Sequence, residues 1–578
     1  MSRIDLPFHW IRTAAVHRAF WLGGPLLLYA WTVTGPLLCD DLILSLKAER
    51  YSRGETDRLG LFRFAETDAD WQALRDKGTC PWWASEIGRY DFFRPIAEWS
   101  FYLDHRISGR SALGHRIVSL AVFLIALMCI HYLFMAASRD PVRAGVATFF
   151  FGISQTTAMP VTWVSNRADL LVLIGVTLAA GAYWSSWRRR QWRLVILACA
   201  GFVFALLAKE VAVALALVVA GHELYLRRRA SARRERPFAG IIALLLVLIV
   251  GLYGAYYIHV RPSALGASAQ EAGPMLMLMR LPRSFLLNLS VWLTGFPISV
   301  LLGAEPFQIN AVAALGAIAA LVIAPFLWRS MRGDRSAMFF ALWALLFMLP
   351  GLGAFTSSRL ICVATVGWAY LLAGLIIPSR EDQLVIPSFL RHGVYAANGV
   401  ISIGCVIGTV LFMNHSELAC RQRLREVIAN LDTPLHAGET LVMGEAQSTM
   451  EMIGSADRLE FLTDLKDIRI VYLVAPEAPV AKIAREDDHT LVLKSVGPSL
   501  FGSPLHRFTL GPGWQPRAGD AFELPGFSAE IAEIDDAGAV AALRFRFRDP
   551  LSSPRLHFYP PALRAVARTS PASEASKS

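Results

Sequence analysis

Uncharged stretches of about 20 residues recur along this chain, and they constrain its fold more than any motif does. Residues 239–258 (AGIIALLLVLIVGLYGAYYI) and 309–328 (INAVAALGAIAALVIAPFLW) are two of them. A helix of that length crosses a hydrocarbon core of about 30 Å. One such run fits a cleavable leader, but many repeated along a chain do not. Composition agrees. Hydrophobic residues make up 54% of the 578 and charged ones 18%, against about a quarter charged in a soluble domain, and mean hydropathy is +0.43. The pattern predicts a multi-pass α-helical membrane protein.

The net charge of +10 raises nucleic acid as a partner, but the distribution argues against it. Arginines sit in short clusters between apolar runs, which is how cytoplasmic loops are marked. With Arg3, Arg12 and Arg18 inside, eleven crossings follow: 19–38, 115–137, 144–160, 169–187, 194–208, 211–226, 239–258, 309–328, 337–354, 360–378 and 393–413. Each arginine cluster then falls on one side, including the six from Arg227 to Arg236. The stretch 284–303 is interrupted by Gly295 and Pro297. Were it to cross, Arg329, Arg332 and Arg335 would land outside, so it reads as interfacial or re-entrant. Residues 1–413 form the expected membrane domain, with loop 39–111 outside.

After Asn414 the long apolar runs stop. Segments 468–474 (IRIVYLV), 490–495 (TLVLKS) and 543–547 (LRFRF) read as strands, with Gly511-Pro512-Gly513 among the turns between them. Residues 414–568 are expected to be a soluble α/β or β-rich domain on the outer side, and 569–578 a disordered tail. Of seven cysteines, Cys129, Cys199, Cys362 and Cys405 lie in apolar runs and read as packing residues. Without a Cys-x-x-Cys pair there is no redox or zinc motif. Cys39 and Cys80 bracket the first polar loop. If that loop is extracytoplasmic, a Cys39–Cys80 disulfide and two free thiols are even alternatives.

Charge meets the outer ends of the helices at several places. Asp40 and Asp41 follow the first span. Glu86, Asp91, Arg94 and Glu98 lie in SEIGRYDFFRPIAEWS; Asn166, Arg167 and Asp169 open the fourth span; Lys209 and Glu210 tip the next hairpin; and Arg359 stands at the mouth of the tenth. Singly, each fits an ordinary interfacial charge. Together they suit transfer from a lipid phosphate. A carboxylate can take a proton from an acceptor hydroxyl, and its pKa rises with partial desolvation. Arginine or lysine can neutralise the leaving phosphate. Two adjacent aspartates could instead hold a divalent metal, though no cofactor is required by the pattern.

Several of these segments resemble, in order and spacing, the C-type membrane glycosyltransferases (GT-C), and most nearly their O-mannosyltransferase-like branch, which includes the transmembrane and tetratricopeptide-repeat proteins. They are LLCDDLILSL, YDFFRPIAEWSFYLDHRISG with ALGHRIVSLAVFLIALMCIHYL, VTWVSNRADLLVLIGVTLAA, LLAKEVAVALALVV and SSRLICVATVGWAYLLAG. The resemblance covers about residues 20–380. It implies an enzyme that takes a sugar from a polyprenyl-phosphate donor and passes it to a protein, envelope-glycan or lipid hydroxyl. Asp40 would be the general base. Asp41 would share that role or bind substrate or metal. Arg94, Arg167, Lys209 and Arg359 would contact donor phosphate or acceptor, with Asp169 and Glu210 orienting them and Asp91 and Asn166 lining the site. Two departures stand out. Where the family often has His-Pro-x-His-x-Glu, this chain has SQTTAMPVTW, and the repeats are missing. The composition suits a bacterial inner membrane with the C-terminal domain in the periplasm.

Two other readings compete. A transporter or flippase would carry polar residues near mid-membrane and often internal repeats, whereas here charge gathers at helix ends and no halves repeat. A non-catalytic scaffold would give Asp40, Asp41, Lys209 and Arg359 no reason to converge.

Overall fold

The computed structural model describes residues 14–84, 90–228, 237–260, 273–301, 304–331, 334–352, 357–377, 387–476, 482–495, 497, 499–501, 506, 509–510 and 514–569. Glu86, the turn at 511–513, the tail from 570 and most of the arginine-rich 227–236 stretch fall outside them. The described residues divide into two compact units. One is drawn from 1–37, 92–269 and 273–412, the other from 38–91 and 413–578.

The first unit is a bundle of helices. Among the described residues, seven are long and apolar enough to cross a membrane: Ala112–Ser138, Val164–Ser186, Phe238–His259, Pro306–Arg329, Arg335–Leu352, Ser358–Ile376 and Phe389–Ala429, residues 413–429 of the last being counted with the second unit. The chain is an integral membrane protein. The other four of the eleven expected segments form shorter or broken helices, namely Ala14–Ala30, Pro141–Gly152, Trp192–Ala208 and Ala214–Arg228.

The break in the 144–160 segment has a local cause. Its helix starts well, with the Asp140 carboxylate accepting from Val142 N and Arg143 N and Pro141 in the first turn. At Ser154 the side chain accepts from the Thr156 backbone instead, which competes with helical bonding. The chain then runs through short turns, Gln155–Thr157 and Ala158–Thr162. Toward the end of the bundle, a π-turn at Ala397–Ile401 interrupts the last helix. There Asn398 donates to the carbonyls of Trp292 and Val394 and accepts from Trp368 Nε1. The stretch read as interfacial, 284–303, opens on the second half of helix Gly273–Thr294, which stops at Gly295 (φ 75°) and is followed by a turn at Ile298–Leu301.

Burial separates two kinds of helix. Arg167–Ser186 is sheathed on nearly all sides, and Gly175 brings it so close to its neighbour that a Cβ there would sit 2.4 Å from Gly201 O. By contrast Leu252 and Leu321, on helices Pro237–Val260 and Pro306–Met331, are 74% and 75% exposed. In a membrane protein such apolar faces meet lipid.

The second unit contains strands, as expected from 414 onward. Three pair in parallel: β3 (Thr440–Glu445) lies between β10 (Leu556–Tyr559) and β4 (Arg469–Val474). The crossover from β3 to β4 carries helices Thr449–Met452 and Ser455–Thr463. Five more strands form an antiparallel sheet in the order β5 (Lys482–Arg485), β6 (Thr490–Lys494), β9 (Val540–Phe547), β8 (Phe527–Ile534), β7 (Ala521–Glu523). Alternation explains β8, whose Phe527, Ala529 and Ile531 are buried and whose intervening residues are not.

The first polar loop belongs to this unit. It supplies helices Asp40–Ser52 and Asp68–Lys77 and a small antiparallel pair, β1 (Arg63–Ala65) with β2 (Tyr90–Asp91). Thr67 and Asp70 form a capping box at the second helix. Its C-cap, Gly78, has φ 84°, and a Cβ there would lie 2.0 Å from Ile470 O. Trp82 and Trp83 follow and enter the core shared with β3, β4 and β9. Trp82 Nε1 donates to Tyr472 O at 2.8 Å.

Candidate functional site

The helical unit gathers most of the expected charges where helices begin or end. Arg94 is the residue before helix Pro95–Ser108. Asn166 and Asp169 open Arg167–Ser186. Lys209 and Glu210 stand at the junction between Trp192–Ala208 and the turn Glu210–Val213. Arg359 lies in the turn Ser358–Ile361 before helix Cys362–Ile376.

The charges pair rather than scatter. Arg94 grips Glu210 with two bonds, Nε to Oε2 at 3.2 Å and Nη2 to Oε1 at 2.7 Å. Such a fork holds direction as well as charge. Burial would raise the Glu210 carboxyl, but the Arg94 guanidinium and, secondarily, Lys209 hold it well below the usual carboxylate range. Glu210 stays 44% exposed, so solvent weakens the pair. Lys209 Nζ donates to Asp169 Oδ1 at 2.7 Å. Arg359 Nη1 donates to Asn166 Oδ1 at 2.5 Å, with its Cζ 5.1 Å from the Trp163 ring centre. Phe93 packs on Tyr256 of the Pro237–Val260 helix beside this group.

Among the described residues, three polar atoms here are buried without a hydrogen-bond partner: Asn166 Nδ2, Trp163 Nε1 and Asp169 Oδ2. Two are N–H donors beside the Arg359 guanidinium. Buried donors normally find acceptors, so the cluster has capacity for an anionic or hydroxyl-bearing ligand. Sequence reasoning gave Trp163 no role. Its signal was spacing, since it precedes Asn166 by three residues in a turn.

Arg167 stands apart from that pattern. It is 2% exposed. Its nitrogens donate to Ser119 Oγ at 3.0 Å, Ser100 Oγ at 3.1 Å, His115 O at 2.7 Å and the Asp104 carboxylate. Expected to contact donor or acceptor, it is instead committed to tying three segments together. The segment SQTT, in place of histidines and glutamate, is also occupied. Gln155 Nε2 donates to Gly295 O at 2.8 Å, Gln155 N to Ser402 Oγ at 2.9 Å, Thr156 Oγ1 to Thr365 Oγ1 at 3.2 Å, and Thr157 shares a hydrogen bond of 2.8 Å with Tyr29 OH.

The acidic pair and Asp91 belong to the second unit. Asp40 and Asp41 are the first residues of helix Asp40–Ser52, where the helix dipole favours negative charge. Asp41 is fully buried and its Oδ2 accepts from Leu38 N at 3.0 Å. Asp40 is half-buried. Asp91 lies on β2, its Oδ1 3.9 Å from Arg63 Nε. The Cys39–Cys80 disulfide is not formed. Both thiols are free, and Cys39 Sγ faces Met450 Sδ at 3.9 Å instead. Among the described residues, no group of three or more His, Cys, Asp or Glu is placed to hold a metal ion, so Asp40 and Asp41 would need ligands from substrate or water to do so.

The chain matches no protein-family profile and no curated protein. Solved structures give distant likenesses. ArnT from Cupriavidus metallidurans bound to undecaprenyl phosphate aligns at 14% identity over 80% of this chain and 87% of that one, with a TM-score of 0.39. The archaeal oligosaccharyltransferase AglB from Archaeoglobus fulgidus, in complex with an inhibitory peptide and a dolichol-phosphate, aligns at 12% over 78% and 64%, TM-score 0.43. The Archaeoglobus fulgidus oligosaccharyltransferase tethered to an acceptor peptide aligns at 11% over 80% and 64%, TM-score 0.41. The chain thus spans under two thirds of the archaeal chains. Scores below 0.5 establish no common fold, and the functional reading rests on this chain's own residues.

Proposed function

We propose that this protein is a GT-C-type glycosyltransferase, moving a sugar from a polyprenyl-phosphate donor to a hydroxyl of a protein or envelope glycan on the outer face of a bacterial inner membrane. The observation that carries the reading is the cluster of Arg94, Lys209 and Arg359 at helix ends, with the unfilled N–H groups of Trp163 and Asn166 beside Arg359. Cations and neutral donors together suit a phosphodiester that gains charge as it leaves. Asp40, carried over from the LLCDDLILSL resemblance, takes the acceptor proton. The acceptor oxygen attacks the anomeric carbon, the bond from that carbon to the phosphate oxygen breaks, and polyprenyl phosphate departs. Asp41 backs the base or shares a metal with it. Residues 1–413 and 414–568 are then the catalytic membrane domain and a periplasmic domain.

The test uses full-length protein in detergent with a pool of undecaprenyl-phosphate glucose, galactose and mannose and isolated envelope as acceptor. Wild type is expected to release undecaprenyl phosphate, and Asp40→Asn to lose release while keeping the wild-type unfolding transition. Normal release by Asp40→Asn removes Asp40 as base. Silence of the wild type toward the whole pool, with uptake of the lipid into liposomes, favours a flippase.

A further inference from the structure

A fully buried ion pair in the second unit is left unused by the proposed chemistry. Glu417, on helix Ser402–Ala429, is fully buried, and so is Arg458 on helix Ser455–Thr463. The two are joined twice, Arg458 Nε to Glu417 Oε1 at 3.2 Å and Nη2 to Oε2 at 3.1 Å. Arg421 Nε adds a bond of 2.8 Å to Oε1. Arg458 also donates to Met450 O at 3.2 Å. Taking two charges out of water gains little net stability, so an ion pair this deep invites a search for what else it holds.

It holds Cys39. The Cys39 N–H donates to Glu417 Oε2 at 3.4 Å, and the thiol packs on Met450, whose carbonyl Arg458 binds. Cys39 has φ 39° and ψ −108°. A side chain at positive φ is strained, and such strain persists only where the surroundings over-determine it. This residue is the N-cap of the helix whose first two positions are Asp40 and Asp41. Its peptide is fixed from the other side too, since Leu38 N donates to Asp41 Oδ2 and Leu38 O accepts from Asp41 N at 2.8 Å. The backbone direction at Cys39 therefore sets where the Asp40 carboxylate stands.

We propose that Glu417 and Arg458 are positioning residues, which clamp Cys39 in its strained conformation and so aim Asp40. The inference rests on Asp40 being the base. It gives the region after residue 413 a role in catalysis without contact with substrate. The same unit reinforces the loop elsewhere. Lys77 Nζ meets Asp457 Oδ1 at 2.7 Å and Glu460 Oε2 at 2.9 Å, and Thr79 Oγ1 donates to Asp457 Oδ2 at 2.6 Å. Those bonds hold the loop down, while the Glu417–Arg458 pair reaches the residue before Asp40, directly at its amide and through Met450 at its thiol.

Two measurements on the full chain in detergent test this. The first needs no substrate: hydrogen exchange at the amides of Cys39–Leu42. Glu417→Gln is expected to speed it about tenfold, with exchange in β3 and β4 unchanged. Equal exchange overturns the clamp. The second is donor turnover with the undecaprenyl-phosphate sugar pool. Glu417→Gln and Cys39→Val should each lower kcat about tenfold or more at unaltered KM, since small misplacements are costly. Cys39→Gly, which tolerates this backbone, should keep kcat within about twofold and restore part of the loss when combined with Glu417→Gln. A purely structural role would lower the unfolding temperature of Glu417→Gln but leave kcat per folded molecule intact, and that result overturns the proposal. Should Glu417→Gln fail to fold, Cys39→Val against Cys39→Gly decides alone, because both leave the Glu417 and Arg458 side chains in place. Asp40→Asn runs in parallel. If it stays active, the base assignment fails; if it is dead while Glu417→Gln and Cys39→Val turn over normally, only the positioning inference fails.

Discussion

Two sets of buried charge differ in how completely they are satisfied. In the C-terminal unit, Glu417 accepts from Arg458, Arg421 and the Cys39 amide, and Arg458 spends its nitrogens on Glu417, Met450 and Glu451. In the helical unit, Arg359, Asn166, Lys209 and Asp169 also pair, yet among the described residues Asn166 Nδ2, Trp163 Nε1 and Asp169 Oδ2 find no hydrogen-bond partner. A saturated set holds a fold. A set with unfilled donors costs stability, and that cost makes sense where a ligand fills them. Arg167 shows that the distinction is not one of region: it lies in the helical unit, one residue from Asn166, and is saturated.

The largest expected effect breaks the saturated set. Arg458→Ala leaves Glu417 buried, short of its main partner, a change that typically costs about 3–5 kcal/mol. Denaturant unfolding followed by tryptophan fluorescence would report it, since Trp82 and Trp83 lie in the same core. A loss under about 1 kcal/mol would mean that the pair is not holding this unit. Arg167→Gln belongs to the same class, because Asp104 and two serines lose a donor at once.

The unsaturated set should respond the other way. Arg359→Gln replaces the guanidinium by an amide that can still donate to Asn166 Oδ1, so unfolding should move less than for Arg458→Ala. Affinity for undecaprenyl phosphate should fall about 10- to 100-fold, the worth of a hydrogen bond to a charged group. Titration of the lipid phosphate into protein in detergent gives both numbers when run beside Arg167→Gln. If Arg359→Gln unfolds the protein and leaves affinity alone, the distinction between the two sets collapses.

How much of this was legible in the sequence follows from range. The apolar runs act through local hydropathy, and each has a helix on it. The strands at 469–474 and 540–547 carried their own alternation or β-branched content. Pairing of Arg94 with Glu210 and of Lys209 with Asp169 crosses 116 and 40 residues. The sequence could suggest only that such charges meet. Nothing local marks Arg167 as tied to Asp104 and two serines and Arg359 as set beside unfilled N–H groups of Trp163 and Asn166, for both are arginines at helix starts. The Cys39 clamp was out of reach for the same reason, since Glu417 is 378 residues away. The insertion of Trp82 and Trp83 among strands that follow them by hundreds of residues was hidden as well. The break at Ser154 was nearer to hand, for Ser-Gln-Thr-Thr offers side chains that compete with helical hydrogen bonds.

The last prediction concerns a buried titratable ring in the C-terminal unit. His506 is 2% exposed, its ring centre 4.5 Å from that of Trp83 and 4.3 Å from that of Phe501. Burial pushes it down to about 3, against about 6.5 in an unfolded chain. A depressed pKa means that the folded state holds the neutral ring while the unfolded state takes up a proton. Stability is therefore full above about pH 6.5 and is lost as pH falls toward 3, at up to about 1.4 kcal/mol per pH unit. Glu460 also titrates low: its burial is outweighed by Lys77 and Arg50, so it too loses stability on acidification. That loss begins only below about pH 4.5, the ordinary carboxylate range. Between about pH 6.5 and 5 the histidine therefore loses stability, while Glu451, whose carboxyl burial raises above the ordinary range, works in the opposite direction. Urea midpoints at pH 7, 6 and 5 should fall for the wild type relative to His506→Leu, which keeps Glu451 and lacks the ring. Parallel slopes for the two proteins would assign the acid sensitivity to another group and leave Trp83 and Phe501 as plain packing partners.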